Sequence, residues 1–275
     1  MKTYQYLIAL LITASCDMVG SDRDERKSIS LEELLGVNPQ EGKVGTESGW
    51  KIGLLESEGF DLTQNYTGVY LEFSDLGKIS ASINDREIQG RWQIERGAGR
   101  EELELNFPEN TILEELDEDW QIVSRSNEKI VLEERDEEYV NRLTLVASDS
   151  QSINSSYQTN LEEAARFFQV LNNSGFSIER ITSETRDRTS VFENTLLAFL
   201  PMGRLELRLS DQKMIVGSWL VGHNNQDITV LLNFEDDGLG DFLDEDWLMT
   251  SFNTDQIVLK EDEFNNADEL VLLRE

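Results

Sequence analysis

The sequence predicts an all-β protein: two tandem, small eight-stranded antiparallel meander barrels, each preceded by a short helix. Three observations carry that expectation. One unit is written twice, its apolar residues recur with period 2, and its strands are joined by short, turn-like connections. The repeat is the plainest of the three. Leu116-Asp117-Glu118-Asp119-Trp120 returns letter for letter as Leu243-Asp244-Glu245-Asp246-Trp247. At the same offset Gly90-Arg91-Trp92 returns as Gly217-Ser218-Trp219, Asn106-Phe107 as Asn233-Phe234, and Ile130-Val131-Leu132 as Ile257-Val258-Leu259. Leu143-Thr144-Leu145 returns as Leu270-Val271-Leu272, and upstream, one residue closer, Phe73 and Gly77 match Phe199 and Gly203 while Trp50 falls on Phe176. Landmarks that share an offset of about 127 residues in unbroken order indicate a tandem duplication.

The elements follow in chain order. Tyr6-Leu7-Ile8-Ala9-Leu10-Leu11-Ile12 behind Lys2 is a short apolar core with a positive flank. It is too short to cross a bilayer, which needs roughly 20 residues, and reads as an export signal over 1–15. Residues 16–29, with Asp22-Arg23-Asp24-Glu25-Arg26-Lys27, are polar and unpatterned and form a tether. The first domain spans 30–147. Ser30-Leu31-Glu32-Glu33-Leu34-Leu35-Gly36 has the grammar of a capped short helix closed by glycine. Strands are expected at Trp50–Glu56, Trp120–Ser124, Lys129–Glu133 and Arg142–Val146. Four more show strict alternation, with Val69, Leu71 and Phe73, then Ile79, Ala81 and Ile83, then Ile88, Gly90, Trp92 and Ile94, then Leu103, Leu105 and Phe107 on the dry face. The Ser/Asn/Gln-rich stretch 148–159 is the linker to the second domain, 160–275. Asn160 is placed to cap a helix over 161–171, with Ala164, Phe167, Phe168 and Leu171 on one face and Gly175 beyond its end. Further on, Leu205, Leu207 and Leu209 alternate with Glu206 and Arg208. Eight short strands with one apolar face each must close into a barrel or stack as a sandwich, and closure, which removes exposed edges, is preferred. Each copy is expected to bury its apolar face by itself.

Charge and cysteine usage bound the partners. The chain has 55 Asp+Glu against 24 Lys+Arg, a net of −31, and a single cysteine. Such a surface repels nucleic acid and anionic head groups, so no nucleic-acid partner is expected. No intrachain disulfide can form, and each domain must be held by packing alone.

Candidate chemistry is sparse. Gly90 and Trp92, and Gly217 and Trp219, lie two apart on one strand face, so that the indole is expected over the gap at the glycine. With Trp50, Trp120, Phe176 and Trp247 they are read as a structural core signature rather than a ligand pocket, because burying one indole contributes on the order of 4–6 kcal/mol gross. The acidic loops Glu114-Glu115-Leu116-Asp117-Glu118-Asp119 and Glu235-Asp236-Asp237-Gly238-Leu239-Gly240-Asp241 are where calcium, which takes six to eight oxygens, would bind. Asp236, Asp237 and Asp241 are its candidate ligands. Neither loop has EF-hand spacing, and acids that cap a turn before the next strand are the preferred reading, so no cofactor or metal is expected. His223, the sole histidine, is assigned to a Gly222–Gln226 turn, with no thiol, Gly-rich phosphate loop or recurring Ser/His pair beside it. An enzyme is not expected.

Two resemblances add to this. Cys16 directly behind Thr13-Ala14-Ser15 and the apolar core resembles the lipobox of bacterial lipoproteins, with Thr13 where that family usually has Leu. The resemblance implies a lipidated Cys16 thiol, a signal cut before it, an acylated (palmitate-type) amino terminus and a membrane held through these chains, since two or more acyl chains make a stable anchor. It implies export and an anchor in the cell envelope, with the outer membrane or cell surface expected ahead of the inner membrane, although Asp17 after Cys16 would favour inner-membrane retention in some bacteria. The set Phe-x-x-x-Gly, Gly-x-Trp, Leu-x-Leu-Asn-Phe, Leu-x-acidic-Asp-Trp, Ile-x-Leu and a closing Leu-x-Leu, over roughly 50–147 and 176–275, resembles the bacterial lipocalin-like domain of Gram-negative lipoproteins. That implies a meander β-barrel on a lipid-anchored envelope protein but no ligand. Lipocalins carry Gly-x-Trp on their first strand whereas here it falls near the fourth, so no pocket residue is carried over. Two functions are expected from this: a non-catalytic interaction or structural module with filled barrels, or, alternatively, a binding protein for a small apolar ligand. The partner is accordingly an unknown protein or a small apolar molecule.

Overall fold

The computed structural model describes residues 30–35, 49–74, 76–83, 86–97, 99–108, 111–135, 139–148, 157–183, 186–234, 238–261 and 268–275. The signal, the tether with Cys16, Gly36 and most of the linker lie outside them. A four-residue helix α1 (Leu31–Leu34) precedes the first half. Its strands are β1 (Trp50–Ser57), β2 (Phe60–Asp61), β3 (Tyr70–Phe73), β4 (Lys78–Ile83), β5 (Arg86–Gly97), β6 (Arg100–Asn106), β7 (Asp119–Arg125), β8 (Lys129–Arg135) and β9 (Val140–Ala147). Neighbours from β3 to β9 pair antiparallel in sequence order. Strand β1 closes the ring: it pairs with β9 on one side and with β3 on the other, through Trp50–Leu71 and Lys51–Tyr70. The result is an eight-stranded antiparallel barrel. All eight expected strands of the first half are there. The two-residue β2, which folds back on the end of β1, is additional.

The second half carries α2 (Leu161–Leu171), β10 (Ser174–Ser183), β11 (Arg186–Asp187), β12 (Leu196–Leu200), β13 (Arg204–Arg208), β14 (Met214–His223), β15 (Ile228–Phe234), β16 (Asp246–Phe252), β17 (Gln256–Lys260) and β18 (Glu269–Arg274). Its ladder follows the same order, with β10 paired to both β12 and β18. The duplication extends to irregularities and side-chain bonds. Register shifts at Ile52/Leu54 and Ile122/Ser124 recur at Ile178/Arg180 and Met249/Ser251. Thr63 Oγ1 accepts from Leu55 N as Thr189 Oγ1 accepts from Ile181 N. Trp92 Nε1 donates to Ser74 O as Trp219 Nε1 donates to Leu200 O, each at 3.0 Å. Trp120 and Trp247 donate to Leu116 O and Leu243 O, also at 3.0 Å. Each indole therefore buries its ring without leaving its N–H unpaired, the condition under which a buried tryptophan stabilises.

Gly175 lies beyond the end of α2, already within β10, and the left-handed residue between them is Asn173 (φ 61°). Three local expectations are corrected. Asn160 stands at the start of α2 in a left-handed conformation, and its side chain does not cap the helix but donates to Asn224 O. Glu206 does not face water. It is buried, and although burial pushes its carboxyl up, hydrogen bonds from Arg208 and Arg204 outweigh that and hold it below the ordinary range. Finally, the copies do not close wholly independently. The halves have separate cores, but Leu220 of β14 belongs to the first half's core, and His223 of β14 pairs with Asp61 of β2.

Because Trp92 and Trp219 hold equivalent places in separate cores, Trp92→Ala should destabilise the first half and Trp219→Ala the second, each by about 3–5 kcal/mol. Hydrogen exchange resolved by peptide would localise the loss, and a variant with unchanged melting temperature and protection would reject the assignment.

Candidate interaction site between the two halves

The aromatic signature residues are core residues. Trp50, Trp92, Trp120, Phe176, Trp219 and Trp247 are all buried in the two cores. The glycines are explained differently from the sequence expectation. A Cβ at Gly90 would stand 2.6 Å from Phe107 Cδ1, and one at Gly217 would stand 2.8 Å from Phe234 Cδ1. The ring over each gap is thus the Phe of the Asn-Phe landmark on the neighbouring strand, not the Trp two residues on. Asp241 is exposed, in the single 3₁₀ turn Gly240–Phe242. Cys16, Asp236 and Asp237 lie outside the described residues. Among the described residues no group of three or more His, Cys, Asp or Glu is placed to hold a metal ion.

What the sequence reading missed is the seam between the halves. After β13 leaves β14 at the Arg204–Ser218 pair, the free edge of β14 would expose backbone donors and acceptors. A turn of the first half covers it. Asn65, buried in the 3₁₀ turn Thr63–Tyr66, accepts from Val221 N at 2.9 Å and donates to Val221 O at 2.8 Å, so one side-chain amide imitates the missing strand. Gln64 Nε2 donates to the same carbonyl at 3.2 Å. Beside it, Phe60 and Leu62 close over Gly222, where a Cβ would stand 3.1 Å from Phe60 Cβ and 3.0 Å from Leu62 Cδ2. His223 is not in an open turn. It ends β14, 1% exposed, with Nε2 3.3 Å from Tyr157 O and 3.9 Å from Asp61 Oδ2. Gly203 faces Ile112 of the first half so closely that a Cβ there would overlap it.

A signal for this seam was present in the sequence, in the differences between the copies rather than in their likeness. On the outer face of the first barrel Gln93 pairs across to Glu104, and Glu102 to Gln121. At the equivalent places in the second half Leu220 pairs with Leu231, and Thr229 with Leu248. A wet face has become an apolar one, and it is the face on which the first half lies: Leu220 and Leu231 pack with Phe60 into the first half's core. Outward-facing apolar residues on one copy of a repeat mark a contact.

The contact is incomplete. A cavity of about 650 Å³ remains in the seam, floored by Phe60, Leu220, Leu231 and Leu248. Its walls are acidic: Glu114 and Glu115 come from the first half, and Asp227, Asp244, Glu245, Asp246 and Glu261 from the second. Among the described residues that line it there is no Lys, Arg or His. Burial, then the carboxylates of Glu58, Glu114 and Asp246, push the Glu115 carboxyl up to about 7 against a hydrogen bond with Ser57. Burial and the neighbouring Asp244 raise Asp246 as well. A lining of apolar side chains and carboxylates suits a group with a hydrophobic body and a positive end.

No protein-family model, curated protein sequence or solved structure matches this chain. Its reading therefore rests on its own residues.

If Asn65 stands in for a strand at the β14 edge, Asn65→Ala leaves Val221 N unpaired in the seam and its carbonyl with Gln64 alone, at a cost of about 1–3 kcal/mol. In calorimetry the two halves should then melt in more separated transitions. A thermogram identical to that of the parent protein would show that this amide does not couple them.

Proposed function

We propose that this protein is an exported, lipid-anchored, non-catalytic interaction module of the cell envelope, built from two lipocalin-like barrels, with its binding surface on the seam rather than inside a barrel. The second half is taken as a closed barrel equivalent to the first, on the strength of its matching ladder. Support for a module that does not carry cargo comes from its interior positions. In the first half Trp92, Leu103, Leu105, Trp120, Ile130, Leu132, Leu143 and Leu145 are buried, and in the second Trp219, Val230, Leu232, Trp247, Ile257, Leu259, Leu270 and Leu272. Side chains of that size fill a small eight-stranded barrel. The observation that carries the reading is the seam itself: one outer face of the second copy is apolar, joined to the first, and left with an acid-rimmed cleft.

The anchor is the part with the sharpest test. Grown with an alkyne-tagged palmitate, cells should label the protein and fractionate it with membranes, while Cys16→Ser abolishes the label and releases the protein. Label retained in the variant would remove the anchor from the proposal. Native mass spectrometry of the protein extracted from its own membrane should show the polypeptide with its lipid or with a protein partner. A small apolar molecule retained at one or two per chain would instead favour cargo in the barrels.

A further inference from the structure

The seam is hinged on one side and open on the other. Along the β14 edge it is fastened by the Asn65–Val221 bonds and the Asp61–His223 bridge. Across β15 and β16 the walls stand apart around the cleft, and both carry the same sign of charge. Glu115 is the group at the centre of that repulsion. Ser57 and Glu58 face it from the end of β1 and the turn beyond, Glu114 from its own turn, and Asp246 from β16. Tyr66, buried in the 3₁₀ turn below, feels its charge, and Asp244 stands beside Asp246. Like charges held across a partly desolvated gap repel far more strongly than in water.

We propose that the seam is a proton-operated clamp: the halves lie together while the cleft carboxylates hold protons and part about the β14 edge as they ionise. The inference concerns how the halves move and stands apart from whatever the cleft binds.

The direction follows from linkage. Closed, the Glu115 carboxyl is raised from 4.5 to about 7, and open to water it returns to the ordinary range. The closed arrangement thus keeps its full stability below the ordinary carboxylate range and loses it as pH rises through 7. Across that window the closed-to-open ratio should fall on the order of a hundredfold.

The test uses the full-length chain with Cys16→Ser and spin labels at Leu76→Cys and Met214→Cys, both exposed, one in each half. Pulsed electron resonance gives the label-to-label distance distribution from about pH 5 to about pH 8.5, with circular dichroism to show that the chain stays folded. The proposal requires that the distribution lengthen or broaden with a midpoint near neutrality. In Glu115→Gln, which keeps the size and the Ser57 contact but not the charge, it should stay fixed in the closed form. In Asp246→Asn the midpoint should move to lower pH than in the parent protein, because one carboxylate that raises Glu115 is gone. A distribution constant with pH in the parent protein would overturn the clamp. So would a transition that persists in Glu115→Gln.

Discussion

Closure of the barrel through β1 is the constraint on which the rest depends. One strand must offer hydrogen bonds on both sides, to β9 along its length and to β3 at its start. A straight strand cannot do this at small barrel radius. The register shift at Ile52/Leu54 bends β1, and the equivalent shift at Ile178/Arg180 bends β10. Once the ring is closed no edge runs the length of the sheet, and the inward side chains have nowhere to go but a core some two side chains across. That is why Gly90 and Gly217 persist: the backbone of one strand and the Phe ring of its neighbour occupy the space a Cβ would need.

Closure is not complete at the mouth, and the incomplete part accounts for the tertiary arrangement. Strand β14 runs on past the end of β13, so Leu220–His223 would be a short bare edge. Proteins blunt such edges with charge, bulges or a covering element. Here the covering element is the other copy of the same unit. The Asn65 amide provides one donor and one acceptor at the spacing of a peptide, and Phe60 and Leu62 fill the space above Gly222. Position 65 in the first copy corresponds to Val191 in the second, which has no such amide and is 45% exposed. The first half's turn thus covers the second half's edge through an amide that the second half's equivalent turn lacks.

This asymmetry explains what was legible in the sequence and what was not. Alternation places four barrel strands of the first copy, from Val69 to Phe107, because a strand with one dry face must repeat with period 2 wherever it lies. The shared landmarks mark the residues both copies need: the tryptophans, the glycines and the phenylalanines over them. Likeness between copies is silent about anything only one copy does. Asn65, Leu220 and Leu231 are invisible to it, and so is the burial of His223, whose place at the end of a strand looks like a turn when read alone. Asn160 misled for a local reason: a cap is indistinguishable in sequence from an Asn that takes a left-handed conformation and bonds elsewhere. Glu206 misled because alternation assigns it to the wet face, while two flanking arginines, at positions 204 and 208, fold over it.

The charge of the chain can be seen in the same light. A net of −31 spread over a surface costs little, since solvent-exposed like charges are screened within about 8–10 Å. The cost concentrates where acids from both halves face one another across a partly dry gap, and the seam is such a place. Apolar contact from Phe60, Leu220 and Leu231 and the Asn65 bonds draw the halves together there, while Glu115 and Asp246 resist. A surface under selection for cohesion alone would replace one wall's carboxylates with lysines, as neighbouring Arg–Glu pairs do elsewhere on the molecule, for example Arg204 and Arg208 around Glu206. That carboxylates stand on both walls, beside the leucines that make the contact, puts attraction and repulsion on the same joint.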